Sequence, residues 1–102
     1  MYIYDTILQM WHVYIIRCAD DSLYTGTSLD PARRLGEHND GKGSKAIRGK
    51  LPATLVYTQA FRTKGSALKR EAAVKRLTRV QKLGLCGIMT LPAGWQAKTE
   101  ES

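Results

Sequence analysis

The stretch Trp11-His12-Val13-Tyr14-Ile15-Ile16-Arg17-Cys18 is β-branched or aromatic at nearly every position, on both parities. A strand that faced water on one side would alternate apolar and polar residues. This one has no polar side, so it belongs in the middle of a sheet covered on both faces. Asp20-Asp21-Ser22 supplies short polar side chains that bond their own backbone in a turn, and Leu23 to Ser28 reads as a returning strand. The chain therefore opens with a β-hairpin. A three-residue loop at Asp20-Asp21-Ser22 pairs Ala19 with Leu23 and Cys18 with Tyr24, which puts Tyr14 and Tyr24 on one face. A two-residue loop would send the two tyrosines to opposite faces.

Asp30-Pro31 starts a helix, because the carboxylate can cap free N–H groups and proline fits the first helical position at no hydrogen-bond cost. That helix is expected to reach Asn39 and stop near Gly41. Gly41 to Lys50 reads as a loop with a helical turn around Ala46 to Arg48, followed by a third strand from Ala53 to Phe61. Ser66 is the expected cap of a helix from Ala67 to Leu77. Thr78-Arg79-Val80-Gln81 has capping-box spacing and restarts a helix to Leu85. The sum is an α+β domain, a small antiparallel three-stranded sheet flanked by helices.

At 102 residues the chain has room for one such domain. It is placed at residues 10–86, with 1–9 an N-terminal extension and 87–102 a C-terminal tail. Because the strand signal begins directly after Met10, a second methionine, that residue is a candidate start. No apolar run approaches the ~18 residues of a membrane span. The first residues also lack the basic start and small-residue cleavage site of a signal peptide. With Cys18 and Cys86 forming no CxxC pair, two reduced thiols, a cytoplasmic address, no membrane partner and a monomer are expected.

The net charge of +7 is unevenly spread. From Gly41 to Thr99 there are thirteen Lys or Arg against one acid, Glu71, while the rest of the chain carries three Arg against eight acids. So cationic a segment repels itself unless a polyanion relieves it, which favours nucleic acid as partner. A lone acid among those bases weakens a merely polyanion-binding surface unless a cation sits on it. Glu71 is therefore read as a ligand in preference to an ion pair with Lys75. Lys42, Lys45 and Arg48, between glycines, make a phosphate-gripping loop, although Gly43 to Gly49-Lys50 and Leu51 do not fit a Walker P-loop. Lys69, Arg70, Lys75, Arg76, Arg79 and Lys82 are expected to track a phosphate backbone, giving affinity without base selectivity.

Tyr14 and Tyr24 taken singly would be core tyrosines. Their company raises them: Gly26 follows Tyr24 by two, and Arg34 and His38 lie one helical turn apart on one face. Arg33 is the expected partner of Glu37, leaving Arg34 free. Val13-Tyr14, Tyr24-Thr25-Gly26, Arg34, His38 and Ala67-Leu68-Lys69-Arg70-Glu71, in that order, resemble the GIY-YIG nuclease superfamily, and Lys42 to Arg48 and Leu77 to Lys82 resemble its small stand-alone bacterial members. His12 stands where the family has the glycine of GIY, and Thr25 where it has the isoleucine of YIG. An asparagine that some larger relatives carry after the glutamate helix has no counterpart, Asn39 being the single asparagine and upstream of that helix.

The resemblance implies metal-dependent hydrolysis of phosphodiester bonds, in DNA rather than RNA; a basic chain this small has little room for sequence readout, so preference for a structure or an end is expected. Glu71 would hold one Mg²⁺ or Mn²⁺, Arg34 would grip the phosphate and Tyr24 would serve as general base. Tyr14 would orient the water or the phosphate, with His38 a proton relay able to exchange roles with Tyr24. A tyrosine ionises near ~10 in water, so such a base needs neighbouring cations. The alternative is a nucleic-acid-binding module in DNA repair or processing that kept the fold and cuts poorly. A third reading, an RNA- or ribosome-associated protein, rests on charge alone, and no aromatic-interleaved basic strand supports it.

Overall fold

A computed structural model describes residues 9–87. The chain runs through β1 (Trp11–Arg17), β2 (Leu23–Ser28), α1 (Pro31–Asn39), a 3-10 segment (Lys45–Lys50), β3 (Thr54–Phe61), α2 (Lys64–Lys75) and α3 (Arg79–Leu85). The strands form one antiparallel sheet in the order β2-β1-β3, so the strand with no polar side is the central one. The α+β class and the three-stranded sheet stand as the sequence implies. The extension expected at residues 1–9 and the tail expected at 87–102 lie outside the described residues, apart from Gln9 and Gly87.

Covering layers explain why β1 is apolar on both faces. Tyr14, Ile16 and Cys18 face Leu35 of α1, Ile47 of the 3-10 segment and Ala53. Val13 and Ile15 face the other way, onto Ala67 and Val74 of α2, with Leu77 and Leu85 packed alongside. A register shift opposite Ile15 and Ile16 places Val56 and Tyr57 both with this second cluster, while Leu55 joins the first.

The hairpin loop differs from expectation by one position. Cys18 N–H bonds the Ser22 carbonyl at 2.8 Å, so the three-residue loop is Ala19-Asp20-Asp21, and Ile16 pairs with Tyr24. Asp21 takes the left-handed conformation at φ 70° that closes such a loop, where Asp is tolerated. Ser22 instead serves the turn from its end, its amide and hydroxyl both donating to Asp20 Oδ1. Sliding both ends by one residue preserves parity, so Tyr14 and Tyr24 still share a face.

Asp30 caps α1 as read, accepting from the Arg33 amide at 3.1 Å. At its other end Gly41 (φ 79°) donates to His38 O while Lys42 N–H reaches back to Glu37 O. This Schellman turn folds the following segment back against the helix. The cap of α2 is Thr63 and not Ser66: the Thr63 hydroxyl accepts from the Ser66 amide, and the helix begins three residues earlier than expected. The capping box of Thr78 and Gln81 forms as its spacing implies.

Candidate active site

Four of the proposed residues converge on the α1 face of the sheet. The even parity of β1 and β2 sends Tyr14 and Tyr24 toward α1, whose last turn returns His38 to meet them. Tyr14 Oη lies 3.0 Å from His38 Nε2, and the Tyr24 ring meets the imidazole edge-on at 5.4 Å between centroids. Tyr14 is 2% exposed and His38 1%, so this polar pair is sealed inside the layer. Such burial is tolerable only when the hydrogen bonds are made.

Two glycines make room for the pair. A Cβ on Gly26 would stand 2.5 Å from Tyr14 Oη, and one on Gly43 would stand 2.1 Å from His38 Nδ1. The Schellman turn lays Gly43 and Ser44 over the imidazole, where the Ser44 amide donates to Nδ1 at 3.1 Å. A backbone N–H can only donate, so Nδ1 is the unprotonated nitrogen and Nε2 carries the hydrogen toward Tyr14 Oη. Burial first, and then the nearby Arg34 charge, hold the imidazole below its ordinary pKa, Glu37 opposing weakly. His38 is thus a neutral ring with both nitrogens occupied. In this arrangement the ring has no free lone pair to take a proton from water.

Burial also raises the Tyr14 hydroxyl above its usual pKa, reinforced by Tyr24 and opposed by hydrogen bonding and charge from Arg34. Tyr14 therefore keeps its proton, and its oxygen accepts while its own O–H remains available to orient a neighbour. Tyr24 is the more exposed of the two tyrosines.

The partner assigned to Glu37 needs correcting. Arg34 Nη1, not Arg33, makes the tight contact with Glu37 at 2.8 Å, while Arg33 reaches the other oxygen only at 3.6 Å and is mostly exposed. Spacing of three and of four along a helix both permit a pair. Arg34 wins because it is the half-buried one, where a charge gains more from a partner.

Glu71 comes from the opposite layer. It stands on α2, and the Thr27 hydroxyl on the outward edge strand β2 donates to its Oε1. Lys75 Nζ sits 2.6 Å from Oε2, so the ion pair that the spacing permitted does form. Burial works to raise the Glu71 carboxyl, but the hydrogen bonds from Lys75 and Thr27 and the Lys75 charge prevail and hold it below the ordinary value. Glu71 makes no hydrogen bond or ion pair with Tyr24, Arg34 or His38; its reach into the other layer is electrostatic, felt at Tyr14. Among the described residues no group of three or more His, Cys, Asp or Glu gathers. A metal here would rest on one carboxylate with oxygen neighbours such as Thr27, a donor set that suits a hard cation keeping most of its waters.

Of the expected phosphate-contacting cations, Lys42, Lys45, Arg48, Lys69 and Arg76 are exposed. Arg70 is held on Gln59 at 3.1 Å, Lys75 is engaged by Glu71, and Lys82 is half-buried. Arg79 has a structural task, its guanidinium donating to the Asp21 carbonyl at 2.7 Å and tying α3 to the hairpin loop. The lone asparagine is likewise engaged: Asn39 both donates to the Ala53 carbonyl (3.0 Å) and accepts from its amide (2.7 Å). Residue reading missed Thr27, Gly43 and Ser44. Only Gly43 carried any signal, a glycine repeated at Gly41 and Gly43 just after His38.

Comparison with known proteins gives the family. Residues 10–83 match the GIY-YIG catalytic domain. The chain belongs to the GIY-YIG nuclease superfamily. It is 47% identical over 76 residues to a UPF0213 protein of Halobacterium salinarum, covering 74% of this chain and 99% of that one. The solution structure of a UPF0213 protein from Bacillus halodurans superposes with a TM-score of 0.50 at 42% identity, covering 81% of this chain and 88% of that one. A protein from E. faecalis gives 0.52 at 33% identity, covering 85% and 94%. Among the described residues no helix is long and apolar enough to cross a membrane.

Proposed function

We propose that this GIY-YIG domain is a metal-dependent endonuclease that hydrolyses phosphodiester bonds of DNA. The observation that carries the reading is the sealed Tyr14–His38 pair, built with two glycines and set beside Arg34 and the more accessible Tyr24. Burying two polar side chains against each other costs stability that a simple core would not spend, and such arrangements gather where chemistry is done.

Tyr24, acting in its phenolate form, takes a proton from a water and later passes it to solvent; the resulting hydroxide attacks phosphorus, and the bond from phosphorus to the leaving oxygen breaks. Solvent water returns a proton to that oxygen. Arg34 holds the phosphate with its planar fork, which requires it to let go of Glu37. Tyr14, kept protonated by burial, orients the water or a phosphate oxygen, and His38 fixes the Tyr14 ring by donating from Nε2. Glu71 would hold one Mg²⁺ or Mn²⁺, with Lys75 displaced from Oε2 or retained on an outer water. When bound, the cation supplies neutralisation of charge on the scissile phosphate and leaving group.

Lys42, Lys45, Arg48, Lys69 and Arg76 carry the phosphate backbone to this centre. A surface of dispersed cations gives affinity without sequence choice, so action is expected to depend on DNA structure or ends. The protein acts as a monomer in the cytoplasm on this reading, with residues 1–9 and 87–102 outside the catalytic domain.

The test incubates labelled duplex, branched and single-stranded DNA with the protein in Mg²⁺ or Mn²⁺, beside Glu71→Ala and Tyr24→Phe. Metal-dependent cutting that disappears in both variants supports the proposal. A second reading, a binding module that cuts poorly, is favoured by Lys75 already occupying Glu71. Salt-sensitive binding by all three proteins with no cutting by any would establish that one instead.

A further inference from the structure

One cavity lies beside the residues assigned above and is explained by none of their roles. It is a cleft of about 410 Å³ where the sheet edge meets the start of α1. Thr27 and Trp11 line it from the sheet, Leu29 from the connection, and Arg33, Arg34 and Glu37 from the helix. Its volume falls within the ~300–1,000 Å³ of small-molecule sites.

Two side chains of the lining stand open to solvent. Leu29 is 47% exposed at the mouth, although a leucine on the short link from β2 to α1 had the opportunity to be polar. Arg33 is 79% exposed and holds Glu37 only loosely, at 3.6 Å. An aromatic ring, an aliphatic wall and two guanidinium groups in one cleft make an amphipathic slot, apolar on one side and cationic on the other. Lys64, 5.1 Å from the Trp11 ring centroid, adds a further positive group beside it. Of the two acids in the lining, Asp30 is held by the helix cap, and Glu37 must release Arg34 to the phosphate, as in the reaction above.

We infer that this cleft receives the nucleoside adjoining the phosphate gripped by Arg34, its base lying against Trp11 and Leu29 and its second phosphate reaching Arg33. The inference rests on the nuclease reading, since Arg34 is shared between the two sites. Thr27 is shared as well: it forms part of the cleft wall and donates to Glu71, so one residue of β2 touches both the cleft and that carboxylate. The nucleoside would thus be the element that positions the scissile phosphate between the two layers. A base is preferred over other planar groups because every base offers a π-face to an aromatic ring, with the connected phosphates meeting the arginines.

The experiment uses the full chain carrying Trp95→Phe, which leaves Trp11 as the single tryptophan. A short oligothymidylate in EDTA, where no cutting occurs, is titrated beside an oligomer of equal length made of abasic units. Oligothymidylate is expected to quench Trp11 emission and to bind at least about fivefold more tightly than the abasic chain. Leu29→Asp, at an exposed position with circular dichroism to verify folding, is expected to remove that preference. Arg33→Ala is expected to weaken both oligomers. Equal binding of the two oligomers, or unchanged Trp11 emission at saturation, would overturn the nucleoside site and leave the nuclease reading in place. Absence of binding by both oligomers would also overturn the nucleoside site, and the cleavage assay above then decides the nuclease reading separately.

Discussion

On the α1 face, Tyr14 and His38 are almost fully buried, both imidazole nitrogens are engaged, and two glycines are needed to fit the pair. On the α2 face, Glu71 keeps 18% of its side chain exposed and is held by one hydroxyl and one flexible lysine. The first arrangement cannot change partners without repacking the layer. The second can exchange Lys75 for a cation or a water, since the Lys75 end of the pair is exposed and flexible. A phosphoryl-transfer site needs both qualities, rigid orientation of the reacting groups and a carboxylate free to accept a metal.

The largest expected difference between the faces is in what substitution does to rate and to stability. Glu71→Gln should lower cleavage by at least about 100-fold while shifting the urea midpoint little. An unfolded Glu71→Gln protein, or one that cuts normally, would break the contrast. Gly43→Ala and Gly26→Ala should behave oppositely, destabilising by about 1–3 kcal/mol as their Cβ atoms overfill the sealed pair, measured by the same unfolding curves. Unchanged stability in both would mean that the pair is loosely held.

Acid sharpens the comparison further. The folded His38 pKa is depressed, so its contribution is complete above 6.5, the ordinary value, and is lost as pH falls through the lower folded one. Protonated Nδ1 would face the Ser44 N–H, donor against donor. Glu71 is depressed as well, and its share is present above 4.5 and lost only as pH falls below that. Urea midpoints measured against pH should therefore decline in two stages, with His38→Gln removing the higher one. A high-pH stage that persists in His38→Gln would assign it elsewhere.

Much of the fold was legible because local rules and tertiary packing agree. The apolar run of β1 demanded two covering layers, and Asp30-Pro31 and Thr78–Gln81 are helix starts whose geometry lies within a few residues. Errors arose where alternatives were close in sequence. Thr63 and Ser66 are both capping residues, and only the chain entering from β3 decides between them. Ala19 could join the hairpin loop because nothing local fixes which of two overlapping three-residue turns closes. At the candidate site, motif order picked out Tyr14, Tyr24 and His38, which the fold brings together, but not their protonation. The tautomer of His38 depends on an amide six residues away that a Schellman turn delivers, and the link from Glu71 to Thr27 spans most of the domain.

The smallest expected effect concerns Arg34. Glu37→Gln removes its neutralising partner, and should tighten binding of DNA about two- to fivefold at low salt, read by fluorescence anisotropy. Weaker binding would show that Glu37 positions the guanidinium and does not merely hold it in reserve.

The central claim is that the two layers act as one site across the edge strand. A double-mutant cycle on cleavage rate with Tyr24→Phe, Glu71→Gln and both together tests it most directly. Groups that act as a unit are not additive, so the double variant should cut no more slowly than the slower single one. Two losses that multiply in the double variant would instead mean that Tyr24 and Glu71 serve separate steps, and would contradict the single-site account.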